Sequence, residues 1–214
     1  MMDVIRDSEP CDEVPTSRGI VNATLGFRVK SGWAAAVLLA GPPDLPQVCD
    51  RKAVELSDPA VPGSRQPYHA GMSKLQTDNA KIERLKKIIT QAAEASVRQL
   101  IANCTGEMKI RAAGVVVGSD IDPSKIANPH IRAHALEGRL FREVLVDALK
   151  SCQVGSSVIL ERELYRVAAK ELKRSEQKIK GILTKLGKPL GGSWRSDDKA
   201  ACLAAWLVHS RSER

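Results

Sequence analysis

The chemical options of this 214-residue chain lie in four histidines, a few acids near predicted strand and helix ends, and five cysteines. His130 and His134 stand four residues apart, which on a helix puts both imidazoles on one face and offers a metal two nitrogen ligands. No Glu lies between them in HExxH order and no third ligand is evident, so capping and packing are the expected roles. His69 and His209 have no ligand partner at characteristic spacing. Asp120 and Asp122 follow an apolar run and precede Pro123, positions suited to turns and caps. Asp197 and Asp198 open an alanine-rich segment, where acids favour a helix N-terminus. GKPLGG at 187–192 lacks both the GxxxxGK[ST] order and a preceding strand, so it is no phosphate loop. A GxSxG elbow and a cysteine-nucleophile signature are both missing. Cys11, Cys49, Cys104, Cys152 and Cys202 are odd in number and form no CxxC pair, which predicts reduced, packed thiols in a cytoplasmic protein.

Charge narrows the partners. Lys and Arg number 33 against 25 Asp and Glu, a net +8, which favours nucleic acid, the ribosome or an acidic protein. The excess sits in the last third, where residues 150–214 hold 14 basic against 7 acidic side chains. Aromatics make up only 3%, so nucleic-acid contacts would rest on phosphates more than on stacked bases. The start has no basic segment followed by an apolar one, and no run approaches the ~18 apolar residues of a spanning helix, so no membrane partner is expected.

The elements that must position these residues follow from periodicity. Residues 1–22 are acidic, carry Pro10 and Pro15 and lack periodicity, which predicts a disordered leader before a domain over 23–212. Strands are expected at 25–30 and 33–40 about a Ser31-Gly32 turn, with a third at 47–57. The segment 58–71 has loop composition. Apolar spacing predicts a helix over 73–104, a strand over 110–119, a helix over 130–150 and a strand over 156–160. Two short helices (162–172 and 175–186) and a final one from about 197 to 209 complete the chain.

This order is the layout of the ribonuclease H-like fold. The stretch from Ile126-Ala127-Asn128 through Glu137-Gly138-Arg139 to Leu149 and the strand at 157–160 resembles the RuvC-like branch of that superfamily. So does the ending, EQKIKGILTKLG followed by a glycine/proline loop and the acid-headed segment DDKAACLAA. The resemblance implies an α/β fold: a three-strand meander plus two parallel strands in one mixed sheet, flanked by helices. It also implies carboxylates holding two Mg ions for phosphodiester hydrolysis. Asp120 matches the acid after the long helix, displaced by two residues, and Asp197 or Asp198 matches the acid heading the last helix; Asp120 and Asp198 are the metal-ligand candidates. The first-strand acid has no counterpart, because its position falls among Phe27, Arg28 and Val29.

With that carboxylate missing, the expectation is a degenerate member that binds duplex, branched or hybrid nucleic acid through Arg132, Arg139, Lys173, Arg174, Lys178 and Lys180, with no cofactor or with Mg. Homodimerisation stays open. One rival is a divergent Mg-dependent nuclease using Asp120, Asp197 and Asp198, with Asp50 or Glu55 completing a rearranged site. It requires those acids to converge within about 4 to 6 Å. The other rival is a protein-interaction module.

Overall fold

A computed structural model describes residues 21–71, 74–104 and 108–212. The elements are β1 (Val21–Lys30), β2 (Trp33–Ala40), β3 (Gln47–Glu55), α1 (Asn79–Cys104), β4 (Met108–Val117), α2 (Pro129–Ser151), β5 (Ser156–Leu160), α3 (Glu161–Glu171), α4 (Glu176–Leu186) and α5 (Ser196–Ser212). They form one five-stranded sheet in the order β3-β2-β1-β4-β5. The β1–β2 and β2–β3 pairs are antiparallel, whereas β1–β4 and β4–β5 are parallel. This is the meander plus two parallel strands expected from the resemblance. The leader expectation over 1–22 falls outside the described residues except for Val21 and Asn22, which open β1.

Lys30 pairs with Trp33, leaving Ser31 and Gly32 as a two-residue hairpin loop. Gly32 has φ +84°, a conformation glycine adopts without cost. The alternation of β1 then sorts its side chains onto two layers. Leu25, Phe27 and Val29 pack with Ile89, Ala93 and Val97 of α1 and with Phe141 and Leu145 of α2. Val37, Leu39, Val116 and Ile159 instead pack with the layer of α3, α4 and α5.

On this second face α5 approaches the sheet closely. A Cβ on Gly26 would lie 1.9 Å from the Ala201 carbonyl oxygen, and one on Gly114 would lie 2.4 Å from that of Ala204. Glycine on the strands and alanine on the helix are therefore two halves of one contact. Thr24 adds a hydrogen bond from its hydroxyl to the Ala205 carbonyl, 3.2 Å. Because α3 and α4 cover its other side, α5 is buried without a break from Ala200 to His209.

The first long helix starts later than its periodicity suggests. Asp78 caps α1, its side chain accepting from the Lys81 amide at 2.9 Å. Leu75, which fits the helical spacing, belongs instead to an antiparallel bridge with His69. The amides of Ala70 and Gln76 donate to the Lys74 and Tyr68 carbonyls, each at 2.8 Å, which fixes the backbone on both sides of His69.

Candidate functional site

β1 and β4 run parallel, so their C-terminal ends open on the same edge of the sheet. A cleft of about 360 Å³ lies there, walled by Arg28, Lys30, Gly118 and Ser119 from the strand ends and by Ile131, His134 and Gly138 from α2. Ligands of α/β sheets commonly bind beyond the carboxyl ends of parallel strands.

The carboxylates suggested by sequence are not gathered in this cleft. Asp120 is exposed beyond the end of β4, 3.9 Å from Arg162, and lines a separate depression with Asp122 and Arg139. Asp197 is 3.0 Å from Lys30. Asp198 takes the capping role: its carboxylate accepts from the Arg195 amide at 2.8 Å and lies 3.4 Å from the Arg51 guanidinium. Asp197 and Asp198 line a third depression, with Trp33 and Arg51. Asp50 is 2.9 Å from Lys52 and Glu55 is 3.4 Å from Arg65. No three of these acids bring their oxygens together among the described residues.

Among Phe27, Arg28 and Val29 on the first strand, the polar residue is Arg28, which is 6% exposed. Its Nε donates to Glu161 Oε1 at 3.1 Å and its Nη2 to Oε2 at 2.5 Å, while Nη1 donates to the Val29 carbonyl. A fixed, paired guanidinium therefore sits in this part of β1, which carries no acid. Asp50, Glu55, Asp120, Asp197 and Asp198 each lie within 4 Å of a Lys or Arg and do not converge, so this donor set does not fit a pair of hard divalent cations that need several converging oxygens.

Three histidines do converge. His69, carried by the 58–71 loop, meets His130 and His134 of α2 with one nitrogen of each ring within 4.8 Å of the others. His69 Nε2 is 3.3 Å from His130 Nδ1, and His134 Nε2 is 3.3 Å from His130 Nε2. Glu137, fully buried one turn beyond His134, accepts from His69 Nδ1 at 2.7 Å. Its second oxygen, also buried, accepts no hydrogen bond among the described residues, and His134 Nδ1 is 3.7 Å away.

Burial pushes the Glu137 carboxyl above the usual carboxylate range, and the hydrogen bond and charge of His69 offset part of that rise. Desolvation, reinforced by the neighbouring His69 and His130, holds His134 below the ordinary imidazole value. His69 thus supplies the third imidazole that the spacing of His130 and His134 did not disclose. The available signal was the spacing of His130, His134 and Glu137, at i, i+4 and i+7 on one helix face. No sequence feature linked that face to the loop.

The six basic candidates fall on two layers. Arg132 and Arg139 belong to α2; Arg132 donates to the Ile126 carbonyl at 2.7 Å and Arg139 pairs with Glu143 at 2.9 Å. Lys173 and Arg174 follow α3, and Lys178 and Lys180 sit on α4, across the sheet from α2. Arg174 stacks 5.8 Å over Trp206, and Lys180 sits 5.2 Å over Tyr165. Lys173 and Lys178 are exposed and form no ion pair among the described residues. The candidates therefore make two separate surfaces instead of one. Glycines 191 and 192 of the GKPLGG segment have positive φ, and Arg51 donates to the carbonyls of Gly191 and Ser193, so this segment is a clamped connection into α5.

No helix among the described residues is long and apolar enough to cross a membrane. No protein-family model matches the sequence, and no curated protein does. Solved structures do match. The RuvC structure of Thermus thermophilus aligns over 89% of this chain and 95% of its own, with TM-score 0.55 and 9% identity. The structure of T. thermophilus RuvC in complex with a Holliday junction substrate aligns over 91% and 96%, with TM-score 0.54 and 12% identity. At such identity the likeness speaks for architecture, and with the strand order above it shows that this chain has the RuvC-like ribonuclease H fold.

Proposed function

We propose that this protein binds nucleic acid by its phosphate backbone and does not hydrolyse it with paired Mg ions. The observation that carries this reading is Arg28, a buried guanidinium held by Glu161 where the resemblance calls for the first metal-binding acid. A guanidinium there offers a metal ion no oxygen ligand, and its own charge is matched by Glu161. The net charge of +8 favours a polyanionic ligand. The fold shared with a protein solved on a Holliday junction supports duplex, branched or hybrid nucleic acid as the ligand class.

The test is titration of labelled duplex, four-way junction and RNA/DNA hybrid with the purified chain, with Mg²⁺ or Mn²⁺ added and binding and cleavage recorded together. Binding that weakens linearly in log salt, without cleavage, is the expected result. Metal-dependent cleavage abolished by Asp198→Asn would overturn the reading in favour of a nuclease. Absence of binding at low salt would overturn it in favour of a protein-interaction module.

A further inference from the structure

We propose that His69, His130 and His134 form a binding site for one late first-row divalent metal ion, zinc above all, with Glu137 as the carboxylate that orients His69. The nucleic-acid reading is not needed for this site, and the site uses none of the acids that the RuvC resemblance points to.

Four observations converge on it. The three rings come from two separate parts of the chain, a loop and a helix, and bring one nitrogen each within 4.8 Å. His69 Nε2 and His130 Nδ1 lie 3.3 Å apart, about the edge of a tetrahedron built on zinc–nitrogen bonds of about 2.0 to 2.1 Å. The other 3.3 Å separation joins His134 Nε2 to the second His130 nitrogen, so His134 closes on the same point only within the 4.8 Å span of the triad. His69 Nδ1 is engaged by Glu137, which leaves Nε2 as its ligating atom and reproduces the carboxylate–histidine–metal relay of many zinc sites. The Glu137 Oε2 atom is buried without a hydrogen bond. A buried carboxylate with one bare oxygen is costly unless positive charge lies close by, and a divalent ion on the far side of the His69 ring supplies it.

Without metal, the same nitrogens can link as a chain of neutral imidazoles, but that chain leaves Glu137 Oε2 bare. Imidazole donors select zinc, cobalt, nickel or copper over magnesium and calcium, which prefer oxygen. Three protein ligands leave a fourth position for water or an anionic oxygen, as in open zinc sites. His134 is shared between the triad and the wall of the cleft that also carries Arg28 and Lys30. An anion reaching the metal from this cleft would pass Arg28 and Lys30, which are paired with Glu161 and Asp197.

The experiment uses the full chain stripped with a chelator and titrated with Zn²⁺ by calorimetry and with Co²⁺ by visible absorption, without nucleic acid. The expected result is one equivalent bound, tetrahedral Co²⁺ bands and no competition from millimolar Mg²⁺. His134→Ala changes a half-exposed side chain and should leave the apo fold intact by circular dichroism while weakening Zn²⁺ at least about 100-fold. Glu137→Gln keeps the shape and should weaken it about 10- to 100-fold. If the wild-type chain takes up no Zn²⁺, or if His134→Ala binds it as tightly as the wild type, the proposal fails.

Discussion

Arg28 and Glu161 grip each other over the end of β4, Nε on Oε1 at 3.1 Å and Nη2 on Oε2 at 2.5 Å, so β1 is tied to the start of α3 by a two-point ion pair. The two ends are unequal: the Arg28 side chain is 7% exposed and that of Glu161 48%. Removing the acid strands a buried cation, whereas removing the cation leaves an acid that water can reach. Glu161→Ala should therefore cost about 1 to 3 kcal/mol, and Arg28→Met less than about 1 kcal/mol. Urea unfolding of both variants checks this. The reverse order would mean that solvent reaches Arg28 in the native state.

The contact of α5 with the sheet makes a second prediction. Gly26→Ala and Gly114→Ala each drive a methyl group into helix backbone, at 1.9 Å and 2.4 Å from a carbonyl oxygen. Backbone yields less than a side-chain tip, so each should cost about 3 kcal/mol or more, the upper end of overpacking penalties. Gly138→Ala is the control, since nothing lies within 4 Å of its added Cβ and alanine favours the helix. The midpoint of denaturant unfolding should fall for the first two and hold or rise for the third.

The separation of basic residues onto two layers can be resolved by salt dependence. Among the described residues, Lys173 and Lys178 form no ion pair on the α3–α4 side, whereas Arg139 on α2 is matched by Glu143. Lys173→Ala and Lys178→Ala should each lower the slope of log affinity against log salt by about 1, and Arg139→Ala by less. Equal slopes for wild type and both lysine variants would exclude the α3–α4 side from binding.

Cys202, on buried α5, has its thiol pushed up from 9.0 to about 12 by burial. An acid whose folded-state value is raised contributes stability below its ordinary value, and that stability is lost as pH climbs through the folded one. Unfolding free energy should thus fall between about pH 9 and pH 12, by about 1.4 kcal/mol per pH unit at most from this group. Cys202→Ala should flatten that part of the curve. Mass-resolved alkylation at pH 8 should label exposed Cys49 before Cys202.

Much of the fold was legible because amphipathic elements advertise themselves. Leu140, Phe141, Val144 and Leu145 mark the buried side of α2, and β5 falls at 156–160 as expected. The order of elements then allowed few topologies. What stayed hidden depended on contacts between distant parts of the chain. Leu75 kept helical spacing although it pairs with His69 in a bridge. The His69–Glu137 hydrogen bond spans 68 positions, and nothing local to either residue specifies the other. The acids were ambiguous for a related reason. Asp198 at a helix start looks the same in sequence whether it caps the helix or binds a metal, and only the positions of Arg51 and the Arg195 amide distinguish the two.

The burial of α5 also bears on how the chain reaches its native state. β1 and β2 are complete by residue 40, yet the helix that seals one of their faces begins at Ser196, and the Thr24–Ala205 hydrogen bond joins positions 181 apart. During synthesis at about 5 to 20 residues per second, that apolar face waits for roughly ten seconds or more before its cover leaves the ribosome. Such long-range closure makes folding slow and leaves nascent chains open to edge-to-edge association. Early chaperone capture and a sharp intolerance of truncation within α5 are the biological signatures to expect.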